Sequence, residues 1–249
     1  MRAVLAAALL CALASALAAD QRRDLQRADA QQEYRKGESY MREEHFDQAA
    51  AAFKRAVALD PEFVLAWFSL GQCQMALKRY PEAVVAYEGA RDAALRVNTL
   101  GTADLARRER EREDEVQEIR QTLQRLRSGQ IKFASAQLEI QLEERLRLLE
   151  DSRHRGREGG YRPPAEIWLG LGSAYFRSGR AEDAEREWKE AASLDPKLGP
   201  AHNNLAVVYM LSGRFSEAKA EVRAAEKAGF PVSPQFKEDL KKREAAAKK

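Results

Sequence analysis

The pattern of apolar residues between Ala165 and Pro196 predicts two short amphipathic helices joined by a turn. The apolar positions are Trp168, Leu171 and Tyr175 on the first helix and Ala184, Trp188 and Ala191 on the second. Ser178-Gly179-Arg180 supplies the turn, and Asp195-Pro196 ends the second helix because proline cannot continue a helix. Such a pair carries more apolar surface than it can bury alone, so we expect it to stack on copies of itself.

The same pattern recurs with a period of 34 residues in four units, 30–63, 64–97, 165–198 and 199–232. Large, small and aromatic residues at fixed offsets within this period are typical of tetratricopeptide repeats, and the sequence resembles that family. The resemblance implies an all-α solenoid of helix-turn-helix units. Three positions depart from the family pattern: Glu33 and His202 stand where tryptophan is usual, and Leu95 stands where the closing proline is usual.

Residues 98–164 do not fit the repeat, and two apolar seams within them predict a long antiparallel helical hairpin inserted between two repeat pairs. The seams are Val116, Ile119, Leu123 and Leu126 before a turn at Ser128-Gly129, and Leu138, Leu142, Leu146 and Leu149 after it. A tight turn at Gly129 would set the last three leucines against the polar stretch 106–115. We therefore expect those leucines to pack on the start of the third repeat or on a second protein. Packing within the chain is favoured, because unpaired apolar stripes are rare on soluble monomers.

The N-terminal residues 1–18 predict a cleavable signal peptide. Arg2 is followed by an apolar run from Ala3 to Ala19, which includes the small-residue cleavage motif Ala16-Leu17-Ala18. The expected location is therefore periplasmic or secreted, with no stable membrane span after cleavage. An uncleaved N-terminal anchor is the alternative.

The C-terminal residues 233–249 predict a capping helix followed by a basic tail. Ser233-Pro234 suits a helix start, and Phe236 and Leu240 share an apolar face that would cover the last repeat. The expected organisation is thus a signal peptide at 1–18, a repeat pair at 30–97, the hairpin and its loop at 98–164, a repeat pair at 165–232 and the cap at 233–249. The third unit is expected to begin a second short stack.

Charge and chemistry exclude several classes of function. Lys and Arg total 42 against 39 Asp and Glu, a near balance that gives no basis for nucleic-acid binding. Within the hairpin, Arg107 and Glu111 stand four residues apart and can pair on a helix surface. His45, His154 and His202 are scattered over different units, and the sequence carries no motif for metal binding, phosphate binding or nucleophilic catalysis. We therefore predict a protein that is not an enzyme and needs no cofactor or metal.

The resemblance also implies a binding surface, since members of this family hold peptides or helices in a groove lined by the first helix of each repeat. The matching positions are Tyr34 and Met41 in the first repeat, Phe68 and Met75 in the second, Leu169 and Phe176 in the third, and Asn203, Asn204, Val207 and Met210 in the fourth. Methionine recurs at one of these positions, and it suits surfaces that bind varied apolar partners. The alternative is that these side chains fill space between neighbouring helices. Tyr34 and Glu38 replace the lysine and asparagine that some members use to clamp a C-terminal carboxylate, so that ligand is not expected.

These patterns predict an exported, non-enzymatic adaptor that binds an apolar or amphipathic segment of another protein in the groove. The alternative places the function in the hairpin, as a coiled-coil arm that forms a homo-oligomer or docks on an assembly while the repeats serve as scaffold.

Overall fold

The computed structural model describes the backbone of residues 2–128, 130, 136–155 and 163–247, and side chains from residue 21 onward except at 102, 105, 108, 136, 137 and 151–155. Within these residues the fold is entirely helical. The helices are α1 Arg2–Arg42, α2 Phe46–Leu59, α3 Val64–Ala76, α4 Tyr80–Arg127, α5 Ala136–Arg155, α6 Ala165–Arg177, α7 Ala181–Leu194, α8 Gly199–Leu211, α9 Phe215–Lys227 and α10 Pro234–Ala247. The predicted signal peptide at 1–18 lies outside the described side chains.

The chain divides into two compact units. One comprises Met1–Ala94 together with Pro163–Lys249, and the other is Leu95–Arg162. The first unit contains the repeats and the second contains the hairpin. Among the described residues, no helix is both long enough and apolar enough to cross a membrane.

Each repeat turns between its two helices through one residue in the left-handed backbone region. These residues are Glu44 and Lys78, both with φ of 59°, Gly179 with φ of 79° and Gly213 with φ of 75°. They occupy the same position of the repeat. Only glycine adopts this conformation without a steric penalty, so the third and fourth repeats use the residue that the turn favours.

The links between consecutive repeats explain one departure from the family pattern. The indole Nε1 of Trp67 donates to the carbonyl oxygen of Pro61 at 3.0 Å. At the matching position of the fourth repeat, Nε2 of His202 lies 3.2 Å from the carbonyl oxygen of Pro196. His202 therefore makes the same contact as the tryptophan that it replaces.

The second and third repeats pack directly on each other, although the whole hairpin separates them in sequence. A Cβ added to Gly170 would lie only 2.7 Å from the ring of Tyr87, so the absence of a side chain lets α6 approach α4 closely. The Tyr175 hydroxyl donates to a Glu88 carboxylate oxygen at 2.5 Å across the same junction. One core cluster runs from Ala83 in the second repeat to residues of the fourth. The four repeats thus form one packed stack rather than two.

The end of the stack is covered by α10. Leu240 is buried in the same core cluster, and Phe236 packs against it. Lys219 of α9 donates to the carboxylate of Glu244 at 2.8 Å. This helix supplies the apolar contacts that a fifth repeat would otherwise make.

The hairpin has its own small core, formed by buried Ile119, Leu123 and Leu149 with Val116, Leu142 and Leu146 packed around them. Arg120 pairs with Glu150 at 2.8 Å, and Arg145 pairs with Glu115 at 2.8 Å, so α4 and α5 are antiparallel. The predicted surface pair Arg107–Glu111 is present at 3.9 Å.

The predicted register of the hairpin is wrong. Leu142, Leu146 and Leu149 face the seam of α4 rather than the polar stretch 106–115. The ion pairs Arg120–Glu150 and Arg145–Glu115 set α5 further along α4 than a tight turn at Gly129 would, and α4 ends at Arg127 whereas α5 begins at Ala136. The three leucines therefore need neither the third repeat nor a second protein to be covered.

Candidate partner-binding groove

A groove of about 570 Å³ lies between the first helices of repeats one and two. We name it the first groove. Its lining consists of Tyr34, Glu38, Met41 and Arg42 from α1 and Leu65, Phe68, Ser69 and Gln72 from α3. Three residues singled out from the sequence, Tyr34, Met41 and Phe68, thus meet at one site. Met75 is partly buried and packs against the main core cluster.

Aromatic contacts fix the apolar wall of the first groove. The Tyr34 ring lies 5.4 Å from the ring of Phe53 and 4.9 Å from that of Phe63. Phe68 meets Tyr87 edge-on at 5.6 Å. Because ring pairs at these distances are mutually attractive, the rings of Tyr34 and Phe68 are held in place without a ligand.

Leu65 is the most exposed apolar residue of the first groove, with 55 % of its surface accessible. The sequence comparison missed it because it lies outside the positions carried over from the family. The sequence nevertheless indicates that Leu65 belongs to this surface, because it stands three residues before Phe68 and so shares its helix face.

The polar part of the first groove carries no net charge. Glu38 and Arg42 stand one helical turn apart on α1 and have opposite charges. Burial raises the pKa of the Tyr34 hydroxyl. The groove therefore offers an apolar wall beside a neutral polar strip.

The residues predicted in the third and fourth repeats differ in exposure. Leu169, Asn203, Asn204 and Val207 are partly exposed. Met210 is only 9 % exposed and belongs to the core cluster. Met210 therefore serves packing and does not line an open surface.

Phe176 instead lines a different pocket of about 500 Å³, where the turns of repeats three and four meet. We name it the turn pocket. Its other lining residues are Ala181, Glu182 and Glu185 from α7, Val208 and Leu211 from α8, and Ser212 and Arg214 from the following turn. None of these was predicted from the sequence. They lie at the ends of helices rather than on the first-helix face that the family comparison selects.

Cys73 of α3 is completely buried. Burial raises the pKa of its thiol to about 11. Because the thiolate is the reactive form, this cysteine is inert in the folded protein near neutral pH.

The two histidines whose side chains are described, His45 and His202, contact different glutamates. Nδ1 of His202 lies 2.7 Å from a carboxylate oxygen of Glu221, and Nδ1 of His45 lies 3.4 Å from a carboxylate oxygen of Glu43. The side chain of His154 lies outside the described residues. In the part of the chain whose side chains are described, no group of three or more His, Cys, Asp or Glu residues is placed to hold a metal ion.

The stacked helix pairs, their left-handed turns and the capping helix define a helical repeat protein. Two family models agree. One, described as tetratricopeptide repeat, matches residues 34–95 and 146–199, and a second with the same description matches residues 175–237. The chain belongs to the tetratricopeptide repeat family. Comparison with curated proteins finds no match.

Several solved structures match the chain at low sequence identity. "MamA MSR-1 C2" is 16% identical, with 81% of this chain and 77% of that chain covered and a TM-score of 0.48. PilW, titled a widely conserved type IV pilus biogenesis factor, is 18% identical over 83% of this chain and 80% of that chain, with a TM-score of 0.37. A thermophilic TPR protein of Thermus thermophilus, TTC0263, is 20% identical over 88% of this chain and 98% of that chain, with a TM-score of 0.32.

Proposed function

We infer that this protein is an exported, non-enzymatic adaptor that holds an apolar or amphipathic segment of a partner protein in the first groove. The observation that carries this inference is the exposure of Leu65 beside the fixed rings of Tyr34 and Phe68. Tetratricopeptide repeats bind other proteins or peptides, and an apolar wall next to a neutral polar strip suits a segment with one apolar face.

Binding would be driven by removing the exposed apolar surface of Leu65, Phe68 and Met41 from water. The charges of Glu38 and Arg42 balance each other, so the groove does not select a strongly charged ligand. The neutral polar groups of Ser69 and Gln72 can satisfy the polar edge of the bound segment.

A charge placed in the groove tests this function against a charge placed elsewhere on the same repeat. Leu65→Glu introduces a carboxylate into the groove, whereas Val85→Glu places one on α4 at a residue that is 62 % exposed and outside the groove lining. Both positions are exposed, so both variants should fold. We expect Leu65→Glu to weaken partner binding about tenfold or more, because burying an unpaired carboxylate is costly, and Val85→Glu to leave it unchanged.

The measurement is quantitative co-purification from cells that make the protein naturally, followed by calorimetric titration of the purified partner against each variant. A partner retained equally by both folded variants would contradict a role for the first groove. Export is tested separately by the mass of the mature protein, which should begin at Ala19 if the signal is removed after Ala18.

A second candidate function is self-association through the hairpin. Ile140 and Leu148 of α5 are 56 % and 58 % exposed and lie outside the buried seam of the hairpin. Sedimentation of the wild type beside an Ile140→Glu/Leu148→Glu variant tests this function, with Gln141→Glu as the matched control. A defined oligomer that only the double substitution dissolves would support it, and a monomeric wild type would contradict it.

A further inference from the structure

The turn pocket is apolar at its base and mouth. Val208 lies at the base with 5 % of its surface exposed, and Leu211 lies at the mouth with 55 % exposed. Phe176 forms a side wall and is held by the ring of Trp188 at 5.6 Å. The space of about 500 Å³ is large enough for a large apolar side chain and part of its backbone.

One wall of the pocket is fixed by ionic contacts. Arg214 makes two hydrogen bonds to the carboxylate of Glu185, and Lys189 approaches the same carboxylate at 2.7 Å. The Arg214 guanidinium also lies over the ring of Tyr209, 4.3 Å from its centre. Bidentate arginine–carboxylate pairs have a defined geometry, so the wall is preorganised and little conformational freedom is lost when a ligand binds.

The edge of the pocket is acidic. Glu185 is neutralised by its two cationic partners, and Asp183 on the same helix is paired with Arg180 and Arg186. Glu182 is exposed at the pocket edge, and the described residues contain no ion pair to it. A single uncompensated carboxylate beside an apolar cavity favours a ligand that carries a positive charge next to an apolar group.

We propose that the turn pocket is a second docking site for a partner protein, and that it takes a leucine or aromatic side chain followed closely by lysine or arginine. The apolar side chain enters between Phe176, Val208 and Leu211, and the basic residue pairs with Glu182. This site uses the second helix of the third repeat as well as first helices. It is separate from the first groove and does not depend on it.

Methyl-resolved NMR of the full chain tests the proposal, because leucine and valine methyl groups report on each site separately. The probes are three acetylated ten-residue peptides of glycine and serine. The first contains Leu-Lys-Lys at its centre, the second Leu-Glu-Glu and the third Ser-Lys-Lys. We expect the first peptide to shift the methyl signals of Val208 and Leu211, and the third to shift neither.

The preference for a positive charge next to the apolar side chain is measured separately. The Leu-Glu-Glu peptide should bind at least threefold more weakly than Leu-Lys-Lys, and Glu182→Gln should reduce that ratio toward one. Equal binding of the two peptides to the wild type, or no shift at Leu211 with the first peptide, would overturn the proposal. A shift of Leu211 on simple dilution of the protein alone would also overturn it, since a second copy would then be the occupant. The methyl groups of Leu65 report on the first groove, so failure at one site is distinguished from failure at the other.

Discussion

Excision of the hairpin should leave a stable repeat stack. The change replaces Leu95–Arg162 with Gly-Ser-Gly, so that the second repeat is joined to Pro163 by a short linker. The contacts that hold the second repeat to the third, such as Tyr87 on Gly170 and Tyr175 on Glu88, are all retained. The hairpin core formed by Ile119, Leu123 and Leu149 is removed as a whole.

The size of the effect follows from loop closure. The entropy cost of closing a flexible loop rises by about 0.6 kcal/mol for each doubling of its length, so shortening roughly 70 residues to a few would stabilise the stack by about 2.5 kcal/mol. That value is an upper limit, because pairing of α4 with α5 already shortens the effective loop. We therefore expect the free energy of unfolding to stay the same or to rise by up to about 2.5 kcal/mol.

The assay is urea unfolding followed by circular dichroism, with and without the hairpin. Without the hairpin, the slope of the free energy of unfolding against urea concentration should fall by about a quarter, in proportion to the surface removed. This slope scales with the area exposed on unfolding. The protein without the hairpin is expected to unfold in a single cooperative transition. Two separate transitions, or a loss of more than about 2 kcal/mol, would refute the argument that direct packing joins the two repeat pairs.

Two further predictions concern single residues. Gly170→Val should destabilise the protein by about 1–3 kcal/mol in thermal unfolding, because the new side chain meets the Tyr87 ring in a packed junction. Gly101→Val, at a glycine with open space around it, is the control. Equal effects of the two substitutions would contradict the packing argument. Arg214 and, to a smaller extent, Lys189 lower the pKa of Glu185 to about 2. The ionised Glu185 therefore stabilises the fold above pH 4.5, and this stabilisation is lost as the pH falls toward 2. The urea midpoint should therefore drop less between pH 6 and pH 3 in Arg214→Gln than in the wild type, and parallel curves would show that the pair does not carry the pH dependence.

The repeats could be predicted from the sequence because their period places aromatic and small residues at fixed offsets that few other folds share. The role of His202 could not, since its hydrogen bond to Pro196 depends on a backbone carbonyl that the pattern does not show. The prediction of the hairpin register failed for a similar reason. Apolar seams identify which faces meet, but the length of the connection sets how far one helix slides along the other.

The candidate site was predicted in part. Tyr34, Met41 and Phe68 meet as repeat positions suggest, because neighbouring first helices repeat the same geometry. Met210 differs because it is only 9 % exposed and belongs to the core cluster that also contains Leu240 of the cap. The neighbouring Leu211 is exposed instead. Repeat position alone therefore does not decide whether a side chain is exposed.

The buried thiol of Cys73 can report how often the second repeat opens locally. Once Cys11 is replaced by serine, or removed with the predicted signal peptide, alkylation can proceed only at Cys73 and only when α3 is transiently exposed. The labelling rate then measures how often the second repeat opens. Because α3 also lines the first groove, a bound partner should slow this reaction in proportion to its occupancy. An unidentified partner could thus be followed through fractionation by the protection that it confers on one sulfur atom.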